Sequence, residues 1–261
     1  MITSTSNPQV KNLQQLAKKA KARNSQDVFL AEGLKMFEEA PRERIQKVYL
    51  SQSLYEQRGA GFLKGLEMEV LSDHVFAAAS DTKTPQGILC ILRQEHYELS
   101  HMLSSVHPHL LLLEDLQDPG NLGTIMRTAE GAGVDGVILS RNSVDLYNPK
   151  TIRSTMGSIY RVPFLYVDSL MEILPVLKKR GVCTYAAHLQ GKKDYDQEDY
   201  CSGCAFFIGN EGNGLSDELS SHADIRIRIP MKGKLESLNA AVAASILTYE
   251  VSRQRRGTAG R

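Results

Sequence analysis

Residues 109–113 read His-Leu-Leu-Leu-Leu, and four leucines in a row predict a strand buried on both faces of a parallel sheet. Further apolar runs predict strands at 136–139, 164–167, 182–187, 205–208 and 225–229. Between them, apolar residues at helical spacing predict helices at 121–131, 149–158, 169–179 and from about 238 onward. Regular alternation of this kind predicts an α/β domain with a parallel sheet. The N-terminal part is patterned differently. Ser6-Asn7-Pro8 predicts a helix start, and the basic helix behind it runs to about Arg23. Short strands at 28–31, 47–50 and 87–92 alternate with helical stretches near 33–40, 52–64 and 73–80, a small α/β unit. The stretch 93–108 has no clear period. The expected division is a first domain at 1–95, a linker at 96–108 and a second domain at 109–261. His96, His101, His107 and His109 fall in or beside this linker at spacings that match no metal site.

Residues 131–136, Gly-Ala-Gly-Val-Asp-Gly, spell the G-x-G-x-x-G of a dinucleotide-binding turn. That turn must follow a strand and open a helix, so that backbone N–H groups meet a pyrophosphate. Here the order is reversed. Leu122, Ile125, Met126 and Ala129 mark a helix before the glycines, and Val134–Leu139 a strand after them. Gly131 and Gly133 are expected to close that helix.

The 261 residues carry a net charge of +1, and the charge is unevenly placed. Residues 1–25 contain Lys11, Lys18, Lys19, Lys21 and Arg23 and no acid. The tail adds Arg253, Arg255, Arg256 and Arg261, again without an acid after Glu250. Basic ends on a nearly neutral chain suit phosphate contacts, as they also suit a solvated helix face. No apolar run approaches the roughly 20 residues of a membrane span. Residues 1–12 lack the apolar centre of a signal peptide, so a cytoplasmic protein is expected. Cys90 and Cys183 lie in apolar runs and are expected to be buried thiols. Cys201 and Cys204 form a C-x-x-C with no second pair to complete a zinc site, and no metal is expected.

Ligands of parallel α/β sheets bind beyond the carboxyl ends of the strands, and that rule selects three loops. The first, 114–121, carries Gly120 and Asn121, and Asn121 is placed to cap the following helix. Arg127 lies further along that helix, where its guanidinium can fork onto a phosphate. The second, 209–216, holds Gly209, Gly212 and Gly214 around Glu211 and leads through Leu215 and Ser216 into a short helix. Glutamate among glycines argues against a phosphate cradle, and the lysine of a Walker loop is missing. The third runs from Pro230 past Gly233 to Ser237, a natural N-cap, before a helix rich in alanine. Such small residues allow tight internal packing, or close approach to a ligand loop or a second subunit. There is no G-x-S-x-G, no H-E-x-x-H and no glycine-rich strand ending of the common methyltransferase fold.

Taken together, the three loops resemble the three motifs of the SpoU (TrmH) family, within the SPOUT class of RNA methyltransferases. The first motif is matched by Asn121, Gly123 and Arg127, and the second by Gly209, Glu211, Gly214, Leu215 and Ser216. The third is matched by Ile229, Pro230, Met231, Gly233, Ser237, Leu238 and Asn239. Order and spacing agree across residues 109 to about 252. The N-terminal part, with its Phe-Leu-Ala-Glu-Gly and Lys-Thr-Pro-Gln-Gly segments, is similar to a ribosomal-protein-like RNA-binding domain.

The resemblance implies a 2′-O-ribose methyltransferase that uses S-adenosylmethionine, built as a homodimer with a deep trefoil knot in the SPOUT domain. It implies that Gly209, Ile229, Leu238, Met231, Gly214 and Leu215 bind the cofactor. It places Arg127 at the ribose hydroxyl, as base or as electrostatic stabiliser, with Asn121, Glu211, Ser237 and Asn239 orienting it and the nucleotide. Ribosomal RNA is the preferred substrate. The alternatives are transfer RNA, a non-enzymatic RNA binder on the same scaffold and, on the strength of 131–136 alone, a nicotinamide dehydrogenase. Ribosome maturation and antibiotic resistance are both open as roles.

Overall fold

The computed structural model describes residues 1–188 and 191–258. The first elements in chain order are α1 (Pro8–Lys18), α2 (Ala20–Gln26), β1 (Val28–Glu32), α3 (Leu34–Glu39), β2 (Ile45–Ser51) and α4 (Gln52–Arg58). They are followed by β3 (Met68–Leu71), α5 (Asp73–Ala79), β4 (Ile88–Arg93), α6 (Leu99–Met102), β5 (His109–Leu113), α7 (Pro119–Ala132) and β6 (Gly136–Ser140). Then come α8 (Pro149–Thr155), β7 (Phe164–Val167), α9 (Leu174–Lys179), β8 (Cys183–Ala187) and β9 (Lys193–Asp194). The last are β10 (Cys204–Ile208), α10 (Asp217–Ser221), β11 (Ile225–Arg228) and α11 (Ala240–Thr258).

Two compact units result: Met1–Glu95 with Asp145–Tyr160, and His96–Val144 with the chain from Arg161 onward. Residues 145–160 therefore fold with the N-terminal part. Residues 96–108 fold with the second unit, where Met102 is fully buried. In the first unit a four-stranded sheet runs β1-β4-β2-β3, antiparallel except for the β2–β3 pair. The basic N-terminal segment is two helices, not one. It breaks at Lys19 (φ −126°, ψ 114°), where the Arg23 guanidinium takes over the end of α1 by donating to the Leu16 carbonyl at 2.6 Å. Arg23 is itself buried and paired with Asp145 at 2.5 Å.

In the second unit seven strands run β7-β6-β5-β10-β8-β11-β9, and every pairing is parallel. β5 is buried along its whole length, as its leucines require. Gly133 caps α7 at φ +73° and β6 follows, so the glycines of 131–136 join a helix to a strand and leave no phosphate turn. Two caps differ from expectation. Asp118, ahead of Pro119, caps α7 by accepting from the Asn121 N–H at 2.8 Å, so Asn121 lies in the first turn. Asn239 rather than Ser237 caps α11, accepting from the Ala241 N–H at 2.9 Å.

His109 is buried, unlike a linker histidine. Burial, with the Arg255 guanidinium nearby, holds its imidazole down to about 3. The tail arginines are partly spent internally. Arg253 pairs with Glu250, and Arg255 donates to the carbonyls of His107, Tyr200 and Ser202. Lys11, Lys18, Lys19, Lys21 and Arg256 stay exposed, and Arg261 lies outside the described residues. All four cysteines are thiols, Cys183 being half-buried. Burial pushes the Cys204 thiol up to about 12, the opposite of a reactive C-x-x-C thiolate. No helix among the described residues is long and apolar enough to cross a membrane.

Candidate functional site

The site begins with strand order. β10 pairs with β5, so the loops leaving their carboxyl ends, 114–118 and 209–216, are neighbours. β11 lies beyond β8, and its loop, 229–239, returns through α11, which packs along α7. Loop 114–118 is set by Asp115, which holds a left-handed backbone at φ +51°. Its N–H donates to the Ser140 hydroxyl, that hydroxyl donates back to its carboxylate, and its carbonyl accepts from the Asn210 amide, each at 2.7 Å. Aspartate tolerates this conformation better than most residues, and three bonds fix it.

Loop 209–216 closes on itself. Asn210 and Gly214 exchange backbone hydrogen bonds at 3.0 and 2.9 Å, and the Asn210 side chain accepts from the Gly212 and Asn213 N–H groups. Gly209 is the close approach. A Cβ there would stand 2.2 Å from both the Gly214 carbonyl carbon and the Leu215 nitrogen. Ser216 caps α10, and its N–H and hydroxyl both donate to Glu114, at 2.7 and 2.6 Å.

A polar chain joins all three loops. The Asn239 amide donates to the Asn121 side-chain oxygen at 2.9 Å, and the Asn121 amide donates to Glu211 Oε1 at 3.0 Å. Glu211 also accepts from the backbone N–H groups of Gln117 (3.0 Å) and Asp118 (2.9 Å). Partial burial alone would raise the Glu211 carboxyl. The bonds from Asn121, Gln117 and Asp118 outweigh it and hold the group below its ordinary value. Glu211 is thus an ionised organiser whose lone pairs are occupied, not a poised base.

A cavity of about 360 Å³ opens between loops 209–216 and 229–239. Its size suits a small organic ligand. Gly209, Gly214, Leu215, Ile229, Met231 and Leu238 all line it, as do Glu211 and Ser237. Asn121 and Asn239 stand behind the lining, tied to it through Glu211. Arg127 is apart. It is exposed on α7, outside the lining, and its side chain makes no hydrogen bond or ion pair among the described residues. The small residues of α11 serve two ends. Ala240 and Ala243 line the cavity, while Ser245 meets Thr128 of α7 at 3.0 Å.

Sequence reasoning missed Gln117, Asp118 and Glu114. Asp118 carried a signal, an aspartate directly before a proline at a helix start. Gln117 acts through its main chain and carried none. Among the described residues no group of His, Cys, Asp and Glu side chains could hold a metal ion.

A parallel sheet with a cavity at its carboxyl edge, walled by glycine-bearing loops, defines an α/β domain of the class that binds small organic ligands there. Comparison with known proteins makes the class specific. The SpoU rRNA methylase family matches residues 108–249, and the MRM3-like substrate-binding domain matches residues 7–90. The chain is 36% identical over 252 residues to the 23S rRNA (guanosine(2553)-2′-O)-methyltransferase RlmP of Bacillus subtilis, covering 96% of this chain and 98% of that one. The AdoMet-bound rRNA methyltransferase of Sinorhizobium meliloti superposes with a TM-score of 0.84 at 30% identity, over 97% of each chain. The SpoU methyltransferase AviRb of Streptomyces viridochromogenes, at 24% identity and a TM-score of 0.86 over 96% of this chain and 98% of that one, shares the fold. The chain belongs to the SpoU rRNA methylase family and is an RNA methyltransferase.

Proposed function

We infer that the chain transfers a methyl group from S-adenosylmethionine to the 2′-oxygen of a ribose in ribosomal RNA. The observation that carries this is the cavity between two glycine-bearing loops, braced from behind by Asn239, Asn121 and Glu211. Its walls fit the cofactor. The approach at Gly209 leaves bare backbone at the cavity, and Ile229, Met231, Leu215 and Leu238 offer an apolar face to adenine. When bound, S-adenosylmethionine supplies an activated methyl and its own leaving group, so no metal is needed.

The protein's part is positioning and charge. Arg127 serves by binding the phosphate beside the target and stabilising negative charge that develops on the ribose oxygen. Ser237, on the cavity wall, orients the nucleotide, and the Asn239–Asn121–Glu211 chain fixes the loops around it. Because Arg127 lies outside the cavity lining, this reading has the enzyme work as a homodimer, each Arg127 serving the other copy's cofactor. The matches at 7–90 and 108–249 support an RNA-binding domain built on 1–95, which residues 145–160 join, and a SPOUT domain built on the rest of 109–261, which takes in 96–108 and whose C-terminal segment is knotted. Exposed Lys11, Lys18, Lys19 and Lys21 are its phosphate contacts. The cytoplasm is its place of action. Ribosomal RNA is favoured over transfer RNA because RlmP, matched along nearly its whole length, is a 23S rRNA methyltransferase.

The test is methyl transfer from tritiated S-adenosylmethionine to unmodified 23S rRNA and to transfer RNA. Label is expected in 23S rRNA, lost with Arg127→Ala and not restored by Arg127→Lys, while cofactor affinity stays within about twofold. Label in transfer RNA alone would overturn the substrate, and full turnover by Arg127→Ala would overturn the role of Arg127.

A further inference from the structure

Residues 232–235 read Lys-Gly-Lys-Leu, and all four are exposed. None lines the cavity, although Met231 on one side and Glu236, Ser237 and Leu238 on the other do. Lys232 and Lys234 make no ion pair among the described residues, and Leu235 is 70% exposed. The loop makes no hydrogen bond from 229 to 238 among the described residues, so it is held at its ends, by β11 and by the Asn239 cap. An isolated exposed leucine needs no explanation. This one stands between a lysine and the wall of the cavity that the proposed function assigns to the cofactor.

The chemistry sets a requirement there. A ribose in a stacked strand is held by its neighbours, and bringing one to a recessed methyl donor means splaying its nucleotide out, at about a few kcal/mol per unstacked step. Many proteins that part a base step insert an apolar side chain into it, and lysine and arginine hold backbone phosphates. Both components are present in four residues. We propose that loop 232–235 grips RNA at the cavity rim. Leu235 wedges against the base next to the target nucleotide, and Lys232 and Lys234 contact the flanking phosphates. Glu236 belongs to the cavity wall and not to the gripping surface. Leu235 is thus a positioning residue, and its role rests on the RNA methyltransferase reading given above.

The experiment uses the full chain and a synthetic RNA spanning the methylated nucleotide, mapped first on 23S rRNA, with 2-aminopurine beside the target. The wild-type protein is expected to raise the fluorescence on binding. Leu235→Ala is expected to bind RNA and S-adenosylmethionine within about twofold, fail to raise the fluorescence and lose about tenfold in kcat, and Leu235→Met to restore both. Lys232→Ala with Lys234→Ala is expected to weaken RNA binding and to lower the slope of log affinity against log salt by about 1–2. A Leu235→Ala protein with full fluorescence change and full kcat would overturn the wedge. So would one whose solution mass halves by light scattering, since Leu235 would then be a contact between copies. A wild-type protein that labels no RNA in the preceding assay would overturn the functional reading itself, before any variant is made.

Discussion

A methyl group on Gly209 has no room, since it would meet the Gly214–Leu215 peptide at 2.2 Å, backbone against backbone. No side-chain rotation relieves such a contact, so the loop must move. Loop 209–216 has little freedom to do so, because Asn210 ties it to Asp115 and Ser216 ties it to Glu114. We expect Gly209→Ala to cost about 1–3 kcal/mol of stability, as overpacking does. Cofactor affinity should fall at least tenfold, about 1.4 kcal/mol. Thermal unfolding and titration calorimetry with S-adenosylmethionine would check both, and a Kd within twofold of wild type would refute the close approach as a cofactor determinant. The glycines of this loop were legible in the sequence because spacing after a strand is a local signal. The contacts of Glu211 were not. Its donors lie about 90 residues away, and two of them are main-chain groups whose side chains say nothing about the bond.

At the scale of the element, α11 shows why its start was misplaced. Ser237 has the right side chain for a cap, and so does Asn239, two residues on. The choice is made by α7. The Asn239 oxygen caps α11 while its amide donates to Asn121, a link that serine cannot make from 237 once the helix begins at Ala240. Long-range hydrogen bonding thus decided between two locally acceptable caps. The two functions of Asn239 can be separated. Asn239→Ala removes both and is expected to cost about 1 kcal/mol of stability along with turnover. Asn239→Asp keeps the cap acceptor and loses the donor. Its melting temperature should stay near wild type while kcat falls at least tenfold, because a carboxylate then faces the Asn121 oxygen. An Asn239→Asp protein that keeps wild-type kcat as well as wild-type stability would show that Asn239 acts only as a cap. The strands and most helices were legible from periodicity. Among the described strands, β3 and β9, four and two residues long, were passed over, being too short for a pattern to register, as was the four-residue α6.

At the scale of the whole molecule, the first unit is assembled from two distant stretches of sequence, which no local pattern reveals. β1 is an edge strand, and residues 145–160 lie along it. Tyr147 stacks on Phe29 at 4.6 Å, α8 contacts β1, and the Tyr160 hydroxyl donates to the Met36 carbonyl at 3.0 Å. Asp145 meets the guanidinium of Arg23, which is only 3% exposed and also closes the end of α1. Truncating Asp145 would therefore strand a buried cation. Because Asp145 is partly exposed, the cost belongs at the low end for a broken buried pair, about 3 kcal/mol. Replacing both partners, Arg23→Met with Asp145→Leu, leaves no unpaired charge and should recover much of that loss. The same argument bears on 1–95 produced alone. It keeps the family-matched segment 7–90 but loses Asp145, Tyr147 and α8, opening the β1 edge and the face of Phe29. We expect that fragment to self-associate and to unfold at lower denaturant than a single chain of 1–95 linked to 145–160, by sedimentation and urea titration. A monomeric 1–95 as stable as the linked chain would show that the edge needs no cover, and that the ion pair alone accounts for the loss in the Asp145 variant.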